Sequence, residues 1–231
     1  MNRLIVAVDG PSGAGKGTVA RATALALGYT HVDTGAMYRA VAWMVVQQRG
    51  RLDASGDAAR IARESGIDVS DGAVRIDGHD VTQAIRTPEI DMASAAVARI
   101  ADVRAALVER QRALGQGGGV VMEGRDIGTV VFPGADVKVY LDASPEERAR
   151  RRAADPAHTG SGGDVAHVAE GLAARDKSDS NRRISPLTRA ADAVYIDTTG
   201  VPVEQVVAQV VALVRDKAGT GDSGLGSRDR T

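Results

Sequence analysis

A glycine-rich turn between an apolar run and a helix-like segment constrains this chain more than any other feature. Residues 4–8 are all apolar, and the stretch at 10–16 reads GPSGAGK. A short apolar run predicts a buried strand, and the pattern at 17–27 predicts a helix. Glycines let successive backbone N–H groups turn toward an anion, and a helix start adds the positive end of its dipole. The sequence therefore predicts a phosphate-binding loop between the first strand and the first helix.

This loop is the predicted ATP site. We expect the Lys16 side chain to span the β- and γ-phosphates and to neutralise charge during phosphoryl transfer. The general pattern has serine or threonine directly after the lysine, whereas here the hydroxyl comes one residue later, at Thr18. We predict that Thr18 meets Mg²⁺, directly or through water. The predicted ATP-binding residues of the loop are Gly10, Pro11, Ser12, Gly13, Ala14, Gly15, Lys16, Gly17 and Thr18.

Apolar runs alternate with helix-like segments along the rest of the chain. Further runs at 30–32, 120–122, 137–141 and 193–196 are typical of strands buried on both faces. Helical patterns lie between them, at 36–48, 103–114, 145–154 and 203–214. This alternation predicts an α/β protein with a P-loop NTPase fold, in which helices flank a five-stranded parallel sheet. Ser144 is predicted to cap the helix at 145–154, and Asp102 the helix at 103–114.

Three segments do not follow the alternation. Residues 66–81 predict a small antiparallel insert, with turns at Asp71-Gly72 and Asp77-Gly78. Residues 155–164 are rich in glycine, serine and proline and predict a loop, whose mobile part we place at 160–163. We expect residues 218–231 to be disordered, because they carry too little apolar surface to fold.

Composition narrows the function classes. The net charge of the 231 residues is −1, so we expect no nucleic-acid polymer as a partner. The chain has no cysteine, and no apolar run approaches the ~20 residues of a membrane span. We therefore expect a cytoplasmic protein that does not bind membranes. Most of the 29 basic residues are arginines, whose planar forks suit phosphoryl oxygens and cost less to desolvate than lysine.

Three polar motifs are predicted to surround an acceptor site. DTGAMYR at 33–39 and EGRDIG at 123–128 follow strands, and the carboxyl ends of parallel strands face the ligand crevice. In the third motif, Arg175, Asp179 and Arg182 have helical spacing. Each motif alone has an ordinary alternative: a helix N-terminus, a surface salt bridge and a solvated helix face, respectively. Separate arginine groups beside a phosphate-binding loop favour a ligand-binding role.

Together these motifs resemble the bacterial cytidylate kinases, the CMP and dCMP kinase branch of the P-loop nucleoside monophosphate kinases. The resemblance runs from about residue 4 to residue 214 and rests on DGPSGAGKGT, DTGAMYR, EGRDIGTVVFP and the run at 175–187. It implies transfer of the γ-phosphoryl group of ATP to the α-phosphate of CMP or dCMP, with Mg²⁺ as cofactor. It also implies an NMP-binding lobe at about 35–100 and a lid at about 151–183, around a core of 1–34, 101–150 and 184–217.

The resemblance further implies roles for individual residues. Arg151, Arg152 and Arg175 join Lys16 as catalytic residues, and Arg148 belongs to the ATP site. Arg39 is expected at the α-phosphate and Asp179 near the sugar hydroxyls. The implied CMP-binding residues are Thr34, Tyr38, Arg39, Arg104, Arg125, Asp126, Asp179 and Arg182. We expect a monomer whose partners are ATP and CMP or dCMP.

One position departs from the family pattern. The family has a serine that meets cytosine in the helix after IRT at 85–87, whereas this chain has Ala95 there and Ser94 one residue earlier. One residue turns a helical side chain by about 100°, so the preference among CMP, dCMP and UMP is open. The alternative enzyme is a related P-loop small-molecule kinase, such as a UMP/CMP, adenylate or shikimate kinase. A GTPase-like switch or a nucleotide-sensing module is the alternative outside the kinases.

Overall fold

The computed structural model describes residues 3–52, 56–70, 72–155, 165–182 and 184–222, with side chains described as far as residue 219. In chain order its strands are β1 (Ile5–Asp9), β2 (Thr30–Asp33), β3 (Ile67–Asp68), β4 (Arg75–Ile76), β5 (His79–Asp80), β6 (Val120–Gly124), β7 (Val137–Asp142) and β8 (Val194–Asp197). Its helices are α1 (Lys16–Leu27), α2 (Thr34–Gln47), α3 (Asp57–Glu64), α4 (Pro88–Val97), α5 (Ala101–Gly115), α6 (Pro145–Ala153), α7 (Val165–Ser180) and α8 (Val203–Asp222). A π-helical segment, Ile127–Val131, follows β6.

The predicted five-stranded parallel sheet is confirmed. Its strand order is β2-β6-β1-β7-β8, so β1 lies in the middle, between β6 and β7. Val6 and Val8 of β1 pack with α1 and α8 on one face. Ala7 packs on the other face with Met122 and with Val108 of α5. Because neighbouring residues of a strand point to opposite faces, both sides of the sheet are covered.

The register of the sheet brings polar residues at three strand ends together. Asp9 of β1 is level with Gly124 of β6, and Asp33 of β2 is level with Glu123. Since these strands run parallel, their carboxyl ends share one edge of the sheet. The glycine loop and both strand-end motifs therefore open onto the same side of the molecule.

The segment between β2 and α5 builds an apolar core of its own. Met37 of α2, Ile61 of α3, Ile76 of β4 and Leu107 of α5 are almost fully buried in it. The helix α3 has no counterpart among the predicted helices. This core gives the predicted NMP-binding lobe a firm internal packing.

The predicted antiparallel insert is confirmed as a small sheet with the order β3-β4-β5. Asp77 and Gly78 connect β4 to β5, with φ angles of 48° and 80°. Two positive φ angles in a two-residue turn match the twist of the flanking strands, so the predicted turn at these residues is confirmed. The other predicted turn includes Asp71, which lies outside the described residues.

One predicted helix cap is confirmed and one is wrong. The Ser144 hydroxyl accepts a hydrogen bond from Glu147 N at 3.2 Å and caps α6. Asp102 does not cap α5, because Ile100 occupies the N-cap position and Asp102 lies within the first turn. A carboxylate in the first turn still interacts favourably with the helix dipole.

The last helix is longer than predicted. α8 continues to Asp222, so residues 218–222 are helical and the expected disordered tail does not begin at 218. Residues 223–231 and the predicted mobile loop at 160–163 lie outside the described residues. Among the helices described, none combines the length and the apolar character that a membrane span requires.

Gly10 is a glycine whose replacement we expect to damage the fold directly. Its φ is 148°, and a Cβ there would overlap the backbone carbonyl oxygen of Leu141 in β7. Gly28, at the end of α1, also has a positive φ of 64°, but a Cβ there meets nothing within 4 Å. Gly28→Ala should cost about 1 kcal/mol of unfolding free energy, and Gly10→Ala about 3 kcal/mol or more. Urea unfolding of both variants measures this difference, and equal losses would contradict it.

Candidate active site

The glycine loop bends around the start of α1. Gly13 and Gly15 have φ angles of 81° and 87°, a backbone region that glycine adopts at little cost. Lys16 is the first residue of α1 and its side chain is almost fully buried. Its Nζ donates a hydrogen bond to the carbonyl oxygen of Pro11, 2.7 Å away. The lysine thus lies folded into the loop, where the predicted phosphate site is.

The environment of Lys16 disfavours its charge. Burial, and then the positive charge of Arg125, lower the pKa of Lys16 to about 7. An ammonium group in such a place gains much from an anion beside it, because the anion stabilises the charged form. This electrostatic setting suits a site for phosphate oxygens.

Arg148, which is expected in the ATP site, contacts the glycine loop. Its guanidinium donates to the carbonyl oxygen of Ser12 at 3.2 Å and pairs with Asp176 of α7. A Cβ on Gly13 would lie 2.9 Å from the Cβ of Arg148, so the arginine packs closely against the loop. Arg148 is not among the residues that line the cleft, although its contacts Ser12 and Gly13 are.

Arg151 connects α6 to Thr198, directly after the last strand. Its Nη1 donates to the Thr198 hydroxyl at 2.9 Å, and its Nη2 donates to the Thr198 carbonyl oxygen at 2.7 Å. Val201, Val203 and Val206 line the cleft close by. An apolar wall next to a phosphate loop suits a nucleotide base. Sequence reasoning missed this wall, although the segment after β8 lies at the carboxyl edge of the sheet.

All the residues predicted to bind CMP line one cleft of about 1070 Å³, which the glycine loop also lines. They come from α2 and α5, from the turn after β6, and from the end of α7 and the turn beyond it: Thr34, Tyr38, Arg39, Arg104, Arg125, Asp126, Asp179 and Arg182. Arg151, Arg152 and Arg175 line the same cleft. The start of α2 is fixed against β6, because the Thr34 hydroxyl donates to the Glu123 carbonyl oxygen at 2.7 Å.

Ion pairs connect the cleft residues. Six guanidiniums share three carboxylates: Asp126 pairs with Arg104, Asp179 with Arg125 and Arg182, and Asp91 with Arg39, Arg152 and Arg175. This leaves positive charge in excess. The buried Nε atoms of Arg104, Arg175 and Arg182 have no hydrogen-bond partner within the described part of the chain. Buried donors and excess positive charge together suit anionic ligands.

Burial and charge have opposite effects on the carboxylates of the cleft. Burial raises the pKa of Asp126 more than the nearby Arg104 and Arg182 lower it. At Asp179 burial also disfavours the charged form, but Arg125 and Arg182 outweigh it and hold the pKa below its usual range. The arginines that face the two carboxylates therefore favour the charged form of each, against the effect of burial.

Tyr38 supports one of the buried arginines. The guanidinium carbon of Arg104 lies 5.6 Å from the centre of the Tyr38 ring, within the range of a cation–π interaction. Burial raises the pKa of Tyr38 to about 12, so the phenol keeps its proton at neutral pH. The ring thus contributes a neutral side chain to the lining of the cleft.

Glu123 also has no role predicted from the sequence. Its carboxylate is buried, with Oε1 3.0 Å from Nε2 of His31. A Cβ on Gly17 would lie only 3.2 Å from the same oxygen. A Cβ at position 17 would therefore require the Glu123 carboxylate to move by a few tenths of an ångström. A carboxylate at a strand end beside the glycine loop is where P-loop enzymes hold Mg²⁺.

The donor set of the cleft fits Mg²⁺ bound together with a nucleotide. Thr18 and Glu123 both line the cleft and offer oxygen atoms. Among the residues described, no three His, Asp or Glu side chains form a closed metal cage. Mg²⁺ commonly takes one or two protein oxygens, the phosphates of its substrate and water. The two side chains therefore suit a metal ion that arrives with ATP.

Ser94 and Ala95 both line the cleft. The Ser94 hydroxyl donates to the carbonyl oxygen of Asp91 at 2.8 Å, within α4. Its hydrogen bond is therefore directed to the backbone of its own helix. Ala95 presents only a methyl group at the position where the family pattern has a serine.

A solved structure that resembles this chain supports the fold alone. The gluconokinase from Sinorhizobium meliloti 1021 gives a TM-score of 0.51 at 15% sequence identity, covering 96% of this chain and 98% of that chain.

Sequence comparisons are far more specific. A cytidylate kinase from Desulfitobacterium hafniense (strain Y51) is 46% identical over 221 residues, which cover 94% of this chain and 95% of that protein. A cytidylate kinase from Solibacter usitatus (strain Ellin6076) is 45% identical over 228 residues, or 95% of each chain. The family model described as cytidylate kinase matches residues 6–216. This chain therefore belongs to the cytidylate kinase family.

Proposed function

We propose that the cleft transfers the γ-phosphoryl group of ATP, in line, to the α-phosphate of CMP or dCMP. Membership of the cytidylate kinase family supports this ATP-dependent phosphorylation. The observation that carries the site assignment is the arginine cluster, in which six guanidiniums on three carboxylates line the same cleft as the glycine loop. Two phosphorylated ligands repel each other, and buried arginine forks offset that repulsion.

The donor nucleotide occupies the glycine loop. Backbone N–H groups of the glycine loop hold the β-phosphate, and Lys16 spans the β- and γ-phosphates. We assign the adenine ring to the apolar wall that contains Val201 and Val203, beside Arg151. Thr18 and Glu123 hold Mg²⁺, directly or through water, and the bound ion neutralises part of the charge on the β- and γ-phosphate oxygens.

The acceptor nucleotide occupies the opposite part of the cleft. Arg39 binds its α-phosphate, Asp179 lies at the sugar hydroxyls, and Thr34, Tyr38 and Arg125 bound the site. Arg104, Asp126 and Arg182 face the base. Cytosine presents an amino group where uracil presents a carbonyl oxygen. The Asp126 carboxylate accepts from the amino group and repels the carbonyl oxygen, so it favours CMP over UMP even with Ala95 in place of serine.

The chemistry requires positioning and charge stabilisation. The attacking oxygen of the CMP phosphate is already anionic, so it needs no strong general base. Lys16, Arg151, Arg152 and Arg175 stabilise the charge on the transferring group. Water could also attack ATP, and closure of the lid at about 151–183 over both nucleotides excludes it.

Both nucleotides meet in a cleft of a single chain, so we propose that the protein acts as a monomer. The acceptor lobe at about 35–100 and the lid close onto the core of 1–34, 101–150 and 184–217. We place the reaction in the cytoplasm, where ATP and nucleoside monophosphates occur together.

The acceptor is tested by measuring ADP formation from MgATP with CMP, dCMP, UMP, AMP, GMP and shikimate offered separately. We expect fast turnover with CMP and dCMP and little with UMP, because Asp126 selects the amino group of cytosine. Equal turnover with UMP would show that Asp126 does not select the base. Turnover with shikimate or AMP alone would contradict the proposed acceptor.

Two arginine substitutions test which side of the cleft each nucleotide occupies. Arg182→Ala should raise the KM for CMP about 10-fold or more, because it removes a charged hydrogen-bond donor of the base pocket, and should change the KM for ATP little. Arg151→Ala should raise the KM for ATP and lower kcat, and should change the KM for CMP little. Steady-state kinetics with each substrate varied in turn measures the effect, with the exposed Arg75→Ala as control. If each variant raised the KM for CMP and the KM for ATP equally, the proposed division of the cleft between the two nucleotides would be wrong.

A further inference from the structure

Asp91 links three arginines that the proposed reaction uses. Its Oδ1 accepts a hydrogen bond from Arg39 Nε at 3.0 Å and lies 3.3 Å from a terminal nitrogen of Arg175. Its Oδ2 pairs closely with Arg152. All four side chains are largely buried. One carboxylate therefore holds three guanidiniums near a single point.

The three arginines come from separate parts of the chain. Arg39 lies in α2, Arg152 in α6 and Arg175 in α7, whereas Asp91 lies near the start of α4. The carboxylate thus joins the acceptor lobe to both lid helices. A second bond reinforces this connection, since Arg99 donates to the Ser178 hydroxyl of α7 at 2.7 Å.

Like charges are crowded at this point. Burial, and then the neighbouring Arg39 and Arg125, lower the pKa of Arg175 to about 10. Burial disfavours a charged Asp91, but Arg39, Arg175 and Arg152 outweigh it and hold its pKa well below the usual range. Three guanidiniums without a facing anion would repel one another and turn toward solvent. A phosphoryl group offers the same kind of acceptor oxygens as this carboxylate.

We propose that Asp91 is a positioning residue for phosphoryl transfer. Its carboxylate is a permanent anion that keeps Arg39, Arg152 and Arg175 together. The remaining N–H donors of these arginines are therefore already positioned when the substrate phosphates bind. Asp91 touches neither reacting group and acts through the three arginines. This inference rests on the proposed function of the cleft.

Two substitutions at Asp91 test the proposal. Asp91→Asn removes the charge at nearly constant size, and we expect kcat with CMP to fall about 10- to 100-fold, because displaced catalytic groups cost rates of this order. The KM for MgATP should stay within about 2-fold, since neither the glycine loop nor Arg151 is touched. Asp91→Glu keeps the charge and should retain kcat within about 5-fold. Asp68→Asn, which removes an exposed partner of Arg75 in the small insert sheet, is the matched control and should change nothing.

Several outcomes would overturn the proposal. Wild-type or higher kcat in Asp91→Asn would show that the arginines need no permanent anion. An equal fall of kcat in the Asn and Glu variants would indicate general damage to the fold of the cleft instead. A rise in the KM for MgATP that matches the fall in kcat would indicate the same. A wild-type chain that does not phosphorylate CMP would count against the proposed function alone. In that case the exchange of the Arg39 Nε–H proton, followed by NMR, still tests Asp91: it should be slow in the wild type and fast in Asp91→Asn.

Discussion

Guanidinium groups that are largely removed from water need anions beside them, and this requirement organises the active site of the protein. Removing a charge from water costs several kcal/mol unless a partner and further hydrogen bonds compensate it. Asp91, Asp126 and Asp179 provide these partners, each from a different element. They do not balance the arginines fully, and the remaining positive charge is what attracts phosphorylated ligands.

The parallel sheet determines where this cluster lies. β1 leads into the glycine loop. β6 beside it and β2 on the far side of β6 end in Gly124 and Asp33, level with or close to the last residue of β1. The loop in turn depends on close contacts: Gly10 lies against the backbone of β7, and Arg148 donates a hydrogen bond to the carbonyl oxygen of Ser12. The sheet therefore brings the glycine loop and both strand-end motifs to the same edge, where the arginines also line the cleft.

The parts of the fold with strong local patterns could be predicted from the sequence. Buried parallel strands form continuous apolar runs, the Asp77-Gly78 turn matches its backbone geometry, and a glycine loop followed by lysine is a specific signal. The residues of the acceptor cleft followed from the family resemblance rather than from periodicity. The boundary at 218 was wrong because the last helix continues to Asp222 with few apolar residues at its end.

Contacts between distant segments could not be predicted. Asp91 looks like an ordinary acidic residue in the first turn of a helix, and only the fold brings Arg152 and Arg175 to it. The approach of Glu123 to Gly17 depends on the register between two strands and the loop, and local sequence does not encode it. The pairing of Arg148 with Asp176 joins two helices, and local sequence does not show it.

The central claim is that one cleft holds two nucleotides with their phosphates facing the same arginines. Titration calorimetry with an adenosine and a cytidine joined 5′ to 5′ by a chain of five phosphates tests it directly. We predict that one such molecule binds per chain, with an affinity at least about 100-fold above that of ATP alone, because linking the two ligands makes the second binding event intramolecular. Saturation with either ATP or CMP should weaken it. An affinity equal to that of ATP, unaffected by CMP, would contradict the claim.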